Sequence, residues 1–178
     1  DPEGAARPLV RQVQELLGVD FAAVAVVDED GETATGIYGR LGGKDVDWWP
    51  GMRVDLLGEP SGIASAVFDG APVAVYDVAS SALVSPRLVE RLGVKSGVWV
   101  PLVAEDRVIG VLVASTTRDQ HAFTPEEIAL LQALAGEAAL ALERLRSAEA
   151  LKVALAREQL VAEIARRIHG ELDVDEVA

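Results

Sequence analysis

Hydrophobic and polar positions recur along this chain in two rhythms, and the change from one to the other marks its elements. Leu9, Val13, Leu16 and Leu17 fall at helical spacing within residues 5–17, and Gly18 is the residue type that commonly follows a helix end. A short amphipathic helix is predicted there. The apolar run 21–27, the turn Asp28-Glu29-Asp30-Gly31 and the run 32–38 read as a hairpin, because Asp-Gly between strand-like runs is a strong turn signal. From Gly39 to Pro60 the periodicity is lost, which predicts a long loop with one short strand over 52–56. Residues 61–68 read as a short helix stopped by Asp69-Gly70, and 72–76 as a strand.

Ser85-Pro86 pairs a capping residue with a proline suited to the first helical position, opening a helix that Gly93 closes. Two longer strands follow, 96–104 and 107–116, joined across Glu105-Asp106. In the second, Ile109, Val111 and Val113 are assigned to one face and Val108, Leu112 and Ala114 to the other, so both faces are apolar. A sheet of antiparallel hairpins covered on both sides needs helices on one face and a second cover on the other. The short helices and the long loop are expected to supply that cover and to close a pocket beneath it.

Thr124-Pro125-Glu126-Glu127 combines a cap, an N-terminal proline and a capping-box carboxylate, and so starts a long helix. Leu131, Leu134, Ala138, Ala141, Leu145 and Ala148 keep the 3-4 spacing of a coiled-coil seam. Leu151 and Leu155 continue it, and Leu160 or Val161, Ile164 and Ile168 resume it in shifted register. The helix is predicted to run for about forty residues and to end at Gly170, with Arg166, Arg167 and His169 in its last turn. Asp173-Val174-Asp175-Glu176 then reads as a fresh cap, so the chain is expected to stop within a longer protein. One small domain cannot bury so long a helix, and pairing with the same helix of a second copy is expected.

Composition narrows the chemistry. The chain has 178 residues, 16 Lys plus Arg against 29 Asp plus Glu, and a net charge of -13, so nucleic acid and anionic membrane surfaces are not expected partners. There is no cysteine, which removes disulfides, thiolate metal sites, cysteine nucleophiles and thioether-attached chromophores. No run of 18 apolar residues occurs and Asp1-Pro2-Glu3 lacks the basic start of a signal peptide, so no membrane insertion and a cytoplasmic location are expected.

Candidate sites are few. Asp28, Asp30 and Gly31 resemble the opening of a calcium loop, but the later ligand positions are missing and a hairpin turn is the better reading. The segment from Gly39 to Asp45 has the wrong spacing for a phosphate loop. Two histidines leave little room for a metal cluster or a catalytic triad; no metal site, no catalytic residue and no enzyme are expected. His121 reads as a solvated loop histidine, with haem ligation or ligand contact as the alternative. His169 reads as a cation at a helix terminus, with a phospho-acceptor role as the alternative. Trp48, Trp49, Tyr76 and Trp99 are the candidate ligand-binding residues: the adjacent tryptophans could stack on a flat ligand, or plug the open side of the domain.

Val100-Pro101-Leu102, Arg107-Val108-Ile109-Gly110-Val111-Leu112, Phe123-Thr124-Pro125-Glu126-Glu127 and Leu131-Gln132-Ala133-Leu134-Ala135, in this order, resemble a GAF domain. The resemblance implies an α+β fold of GAF/PAS-like type: an antiparallel sheet of about six strands, terminal helices on one face, and short helices and loops closing a pocket on the other. It places a sensor domain over 5–145, a signalling coiled-coil helix over 146–169, and in 170–178 the start of a following domain, itself similar to a second GAF. Family signatures also bear on the ligand. Bilin-attaching and methionine-sulfoxide-reducing members need cysteines that are absent here; cyclic-nucleotide members carry Asn-Lys where this chain has Thr117-Arg118; haem is not expected because His121 stands at a strand exit. The implied function is a regulatory module of a larger signal-transduction protein, as in two-component regulation, sensing an unidentified small molecule and relaying its state as a homodimer. That homodimer would form through Leu131, Leu134, Ala138, Ala141, Leu145 and Leu155. A ligand-free dimerisation scaffold, and a histidine-kinase segment with His169 as acceptor, are the alternatives.

Overall fold

The N-terminal helix is capped before its apolar stripe begins: Asp1 Oδ1 accepts the Gly4 amide at 2.8 Å, and α1 (Pro2–Leu17) ends on Gly18 in the left-handed conformation. The chain is described by a computed structural model over residues 1–177, with side chains through residue 175. The elements after α1 are β1 (Phe21–Val27), β2 (Thr33–Leu41), β3 (Lys44–Asp45), β4 (Arg53–Asp55), α2 (Gly62–Asp69) and β5 (Val73–Val75). A single 3-10 turn (Val78–Ser80) then leads into α3 (Pro86–Leu92), β6 (Ser96–Ala104), β7 (Arg107–Thr116) and α4 (Pro125–Val177). The sheet has the order β3-β2-β1-β7-β6-β5, with β4 also paired to β2, and its strand pairs among the described residues are antiparallel. All six expected strands form.

The seventh, β3, corrects the reading of 39–60 as mainly loop. β2 runs on to Leu41 and turns back so that Arg40 pairs with Asp45. The return is held by side chains distant in sequence: Tyr38 donates its hydroxyl to Asp45 Oδ1 at 2.6 Å, and Arg7 of α1 reaches Asp45 at 3.1 Å while lying over the Tyr38 ring. Burial raises the Tyr38 pKa, with the hydrogen bond to Asp45 acting the same way, and that bond lowers the pKa of Asp45.

A bulge also corrects the faces of β7. Leu102 pairs with Gly110 but Val103 with Val108, which leaves Ile109 as the extra residue. Ile109 therefore joins Leu112 and Ala114, while Val111 and Val113 keep the opposite face.

Two apolar layers result. One face of the sheet packs Ala22, Val24, Val100 and Leu112 against Val10 and Val13 of α1 and Leu131, Ala135, Ala139 and Leu142 of α4. The other face packs Phe21, Ala23, Val111 and Val113 against Ile63 and Ala66 of α2, Trp49 and Trp99. Residues 1–143 form one compact unit and 144–178 a second.

α4 starts as its capping box predicts: Glu127 N donates to Thr124 Oγ1 and Thr124 N donates to Glu127 Oε1, both at 3.1 Å. Its end differs from expectation. The helix has 53 residues and passes through Gly170, so the fresh cap at Asp173 does not form. An interior glycine costs a helix about 1 kcal/mol, a penalty that the flanking helix formers outweigh. The expected following domain over 170–178 extends to Ala178, outside the described residues; 171–177 are helical. No helix among the described residues is long and apolar enough to cross a membrane.

Candidate functional site

On the pocket face the backbone has been cleared of side chains to admit two indoles. A Cβ built on Gly39 would stand 2.9 Å from Cγ of Trp49, and one on Gly36 would overlap the Trp49 carbonyl oxygen. Trp49 is 1% exposed, donates its indole N–H to the Val24 carbonyl at 3.0 Å and meets Phe21 edge-on. Trp99 lies on a second glycine pair: a Cβ on Gly62 would overlap its ring, and one on Gly97 would stand 2.7 Å from its Cη2. These two tryptophans plug the face.

The other two candidates are placed differently. Trp48 is half-buried beneath the Arg91 guanidinium, 3.9 Å from its ring centroid, at the edge of α3. Tyr76 is 56% exposed, and only its carbonyl is engaged, by the Ser96 hydroxyl.

What remains between the plugs and α3 is a cavity of about 30 Å³, lined by Phe21, Trp49, Ile63, Leu88, Trp99 and Val113 among others. That is one water's share of liquid, against roughly 300–1,000 Å³ for sites that hold drug-sized ligands. Its polar lining is three serines. Ser61 Oγ accepts the Ala64 amide as the cap of α2, and Ser85 donates to Glu59 Oε1 at 2.6 Å; Ser115 Oγ is buried without a partner. Ser85 therefore does not cap α3 through its side chain as its position suggested. Glu59 also receives both Nε and Nη2 of Arg87, at 2.7 and 2.9 Å, and the Arg87 contact holds its carboxyl below the usual carboxylate range.

Sequence reasoning missed Ser115, Glu59 and Arg87. A signal existed for the first, since Ser115 breaks the pocket-facing series Val111, Val113 two residues on. None existed for the pair, which is 28 positions apart.

His121 is tied down rather than freely solvated. Nε2 lies 3.0 Å from both Glu127 oxygens, the ring meets Phe123 edge-on, and the backbone N–H donates to Ser96 Oγ. Burial would raise the Glu127 pKa, but the Thr124 backbone and His121 outweigh it and the net shift is downward. His169 lies inside α4, not at its terminus. The Asp28 and Asp30 turn is a hairpin turn, Asp30 Oδ1 accepting the Glu32 amide at 2.9 Å. Among the described residues no cluster of three His, Asp or Glu could hold a metal ion.

The helix candidates divide. Leu131 and Leu134 are buried in the core of their own domain, which occupies their side chains, and the partly buried Ala138 packs against that core. Ala141 is exposed and Leu145 half-buried. Leu155 is 50% exposed, and in its own unit Leu151, Leu160, Val161, Ile164, Ile168 and Leu172 are similarly uncovered.

The profile of the GAF domain family matches residues 1–142. No curated protein matches. Among solved structures, the GAF domain of a phosphoenolpyruvate-protein phosphotransferase from Coxiella burnetii is similar at 21% identity and a TM-score of 0.71, over 84% of this chain and 87% of that one. The GAF-B domain of DevS from Mycobacterium smegmatis is similar at 23% identity and TM-score 0.66, over 85% and 99%. The free methionine-R-sulfoxide reductase of Neisseria meningitidis is similar at 21% and 0.68, over 83% and 81%. At these identities the structures share the fold. With the profile match over 1–142, a sheet closed by α1 and α4 on one side and by a plugged pocket on the other, this chain belongs to the GAF domain family.

Proposed function

We propose that the chain is a regulatory module that pairs with a second copy through the last part of α4 and passes the state of its pocket face along that helix pair. GAF domains are typically sensing modules within larger signalling proteins. The observation that carries the reading is the uncovered apolar stripe that ends at Leu172 in the second unit. On a 3.6-residue turn, Ala154, Val161, Ile164, Ala165, Ile168 and Leu172 share an arc of about 100°, interrupted by Arg157 and opposite Lys152, Gln159, Glu163 and Arg166. Val161, Ile164 and Ile168 hold the 3-4 spacing that a parallel partner would bury. Neither catalysis, nucleic acid nor membrane has a part in this proposal.

Because the chain has no cysteine, single substitutions report on pairing without background. Val161→Cys and Ile168→Cys are each expected to cross-link to themselves under mild oxidation, and Lys152→Cys far less. A monomer by native mass spectrometry, with all three variants equally unreactive, would overturn the pairing.

A ligand-free scaffold is the second reading, and a specific observation favours it: Trp49 and Trp99 leave only about 30 Å³ open. Native mass spectrometry decides this too. A retained small molecule supports sensing, and a bare protein supports the scaffold.

A further inference from the structure

We infer that the pocket face takes an uncharged, mainly apolar molecule about the size of one aromatic ring, held by one hydrogen bond to the Ser115 hydroxyl and admitted by release of α3. This rests on the small-molecule reading above and adds to it the ligand's chemistry and its route.

The chemistry follows from the lining. Every lining residue is apolar, glycine or serine, so a charged ligand would lose its hydration with no opposite charge to replace it. Two of the serine hydroxyls already serve α2 and Glu59. Ser115 is 1% exposed and its hydroxyl has no partner, which leaves one polar group to be satisfied by whatever enters. A lone water satisfies it poorly, since buried waters make two to four hydrogen bonds and the other two serine hydroxyls of this cavity are already engaged.

The route follows from what can move. A benzene-sized cavity is on the order of 150 Å³, so some wall must yield. The indoles cannot, being seated on Gly36, Gly39, Gly62 and Gly97, with Trp49 also bonded to Val24. α3 can: none of its residues is buried. It meets the cavity through Leu88, Val89 and Leu92, and Arg87 and Arg91 fasten its outer side to Glu59 and over Trp48. Segments with little burial of their own open at low free energy.

Toluene, phenol and benzoate match in shape and differ in the chemistry at issue. Titrated against the full chain, with Val113 and Val94 methyl resonances as the readout, phenol is expected to bind best and benzoate not to bind. Ser115→Ala should weaken phenol roughly 3- to 10-fold and leave toluene unchanged or improved. Arg87→Ala should tighten phenol and toluene alike. The inference is overturned if benzoate matches phenol, if the preference for phenol over toluene survives Ser115→Ala, if Arg87→Ala changes neither affinity, or if no probe shifts those methyls in any variant. A charged molecule retained in native mass spectrometry would overturn this inference and leave the sensor reading standing. A bare protein that also ignores all three probes would sink both.

Discussion

Gly62 and Gly97 hold the Trp99 ring between them, and this makes a missing side chain as specific as a present one. A methyl at Gly62 would overlap ring carbons, and the outer edge of the ring already lies against Gly97, where a built Cβ would stand 2.7 Å from Cη2. Gly62→Ala is therefore expected to destabilise the domain by about 1–3 kcal/mol through overpacking, read as a lower urea midpoint with an altered near-ultraviolet tryptophan signal. Gly43→Ala is the control. That glycine has open space around it, so its substitution should move stability by less than about 0.5 kcal/mol. Equal effects at the two positions would show that Trp99 is not clamped as described.

α3 draws its hold on the domain from a carboxylate as much as from apolar contact, which makes the element sensitive to acid. The Glu59 pKa is lowered in the folded state, first by Arg87 and then by Ser85, against burial and the nearby Asp55 charge, which raise it. A carboxylate with a depressed folded pKa contributes its stability above the unfolded value, near 4.3, and loses it as pH falls through the folded value. Amide protection factors over 89–93 are thus expected to fall on acidification below about pH 4, ahead of those in β6 and β7, and Glu59→Gln should remove the pH dependence. Loss in step with the strands would place the acid-sensitive contact elsewhere. The elements legible from sequence are the ones that short-range chemistry sets. The Asp-Gly turn, the glycines ending α1, α2 and α3, and the box at Thr124 and Glu127 each act within about six residues, and all formed. Illegible features depend on distant partners. β3 needs Arg7 and Tyr38 against Asp45; the Ile109 bulge needs the register with β6; the latch needs Glu59 and Arg87. The site was half legible for the same reason. The adjacent Trp48 and Trp49 offered a plug for the open face, but which indole goes inside depends on where Gly36 and Gly39 meet it in space.

For the whole molecule the consequence is that one helix carries two apolar seams with different owners. Leu131 lies in the domain core, completely buried, whereas Ile168 is 52% exposed in a unit where nothing covers it. The same substitution should therefore fail in two different ways. Leu131→Asp places a carboxylate among Val10, Val13 and the sheet, and should cost about 3 kcal/mol or more, lowering the thermal midpoint at every protein concentration. Ile168→Asp puts like charges at the proposed contact of two helices, so it should abolish dimer formation in sedimentation experiments. It should also remove the concentration dependence of Tm that association confers, while residues 1–143 still melt cooperatively. If Ile168→Asp instead collapsed the sheet domain, the two units would be one folding entity. If it left the oligomeric state untouched, the stripe from Ala154 to Leu172 would serve some other partner, and a relay through paired helices would have no contact to act on.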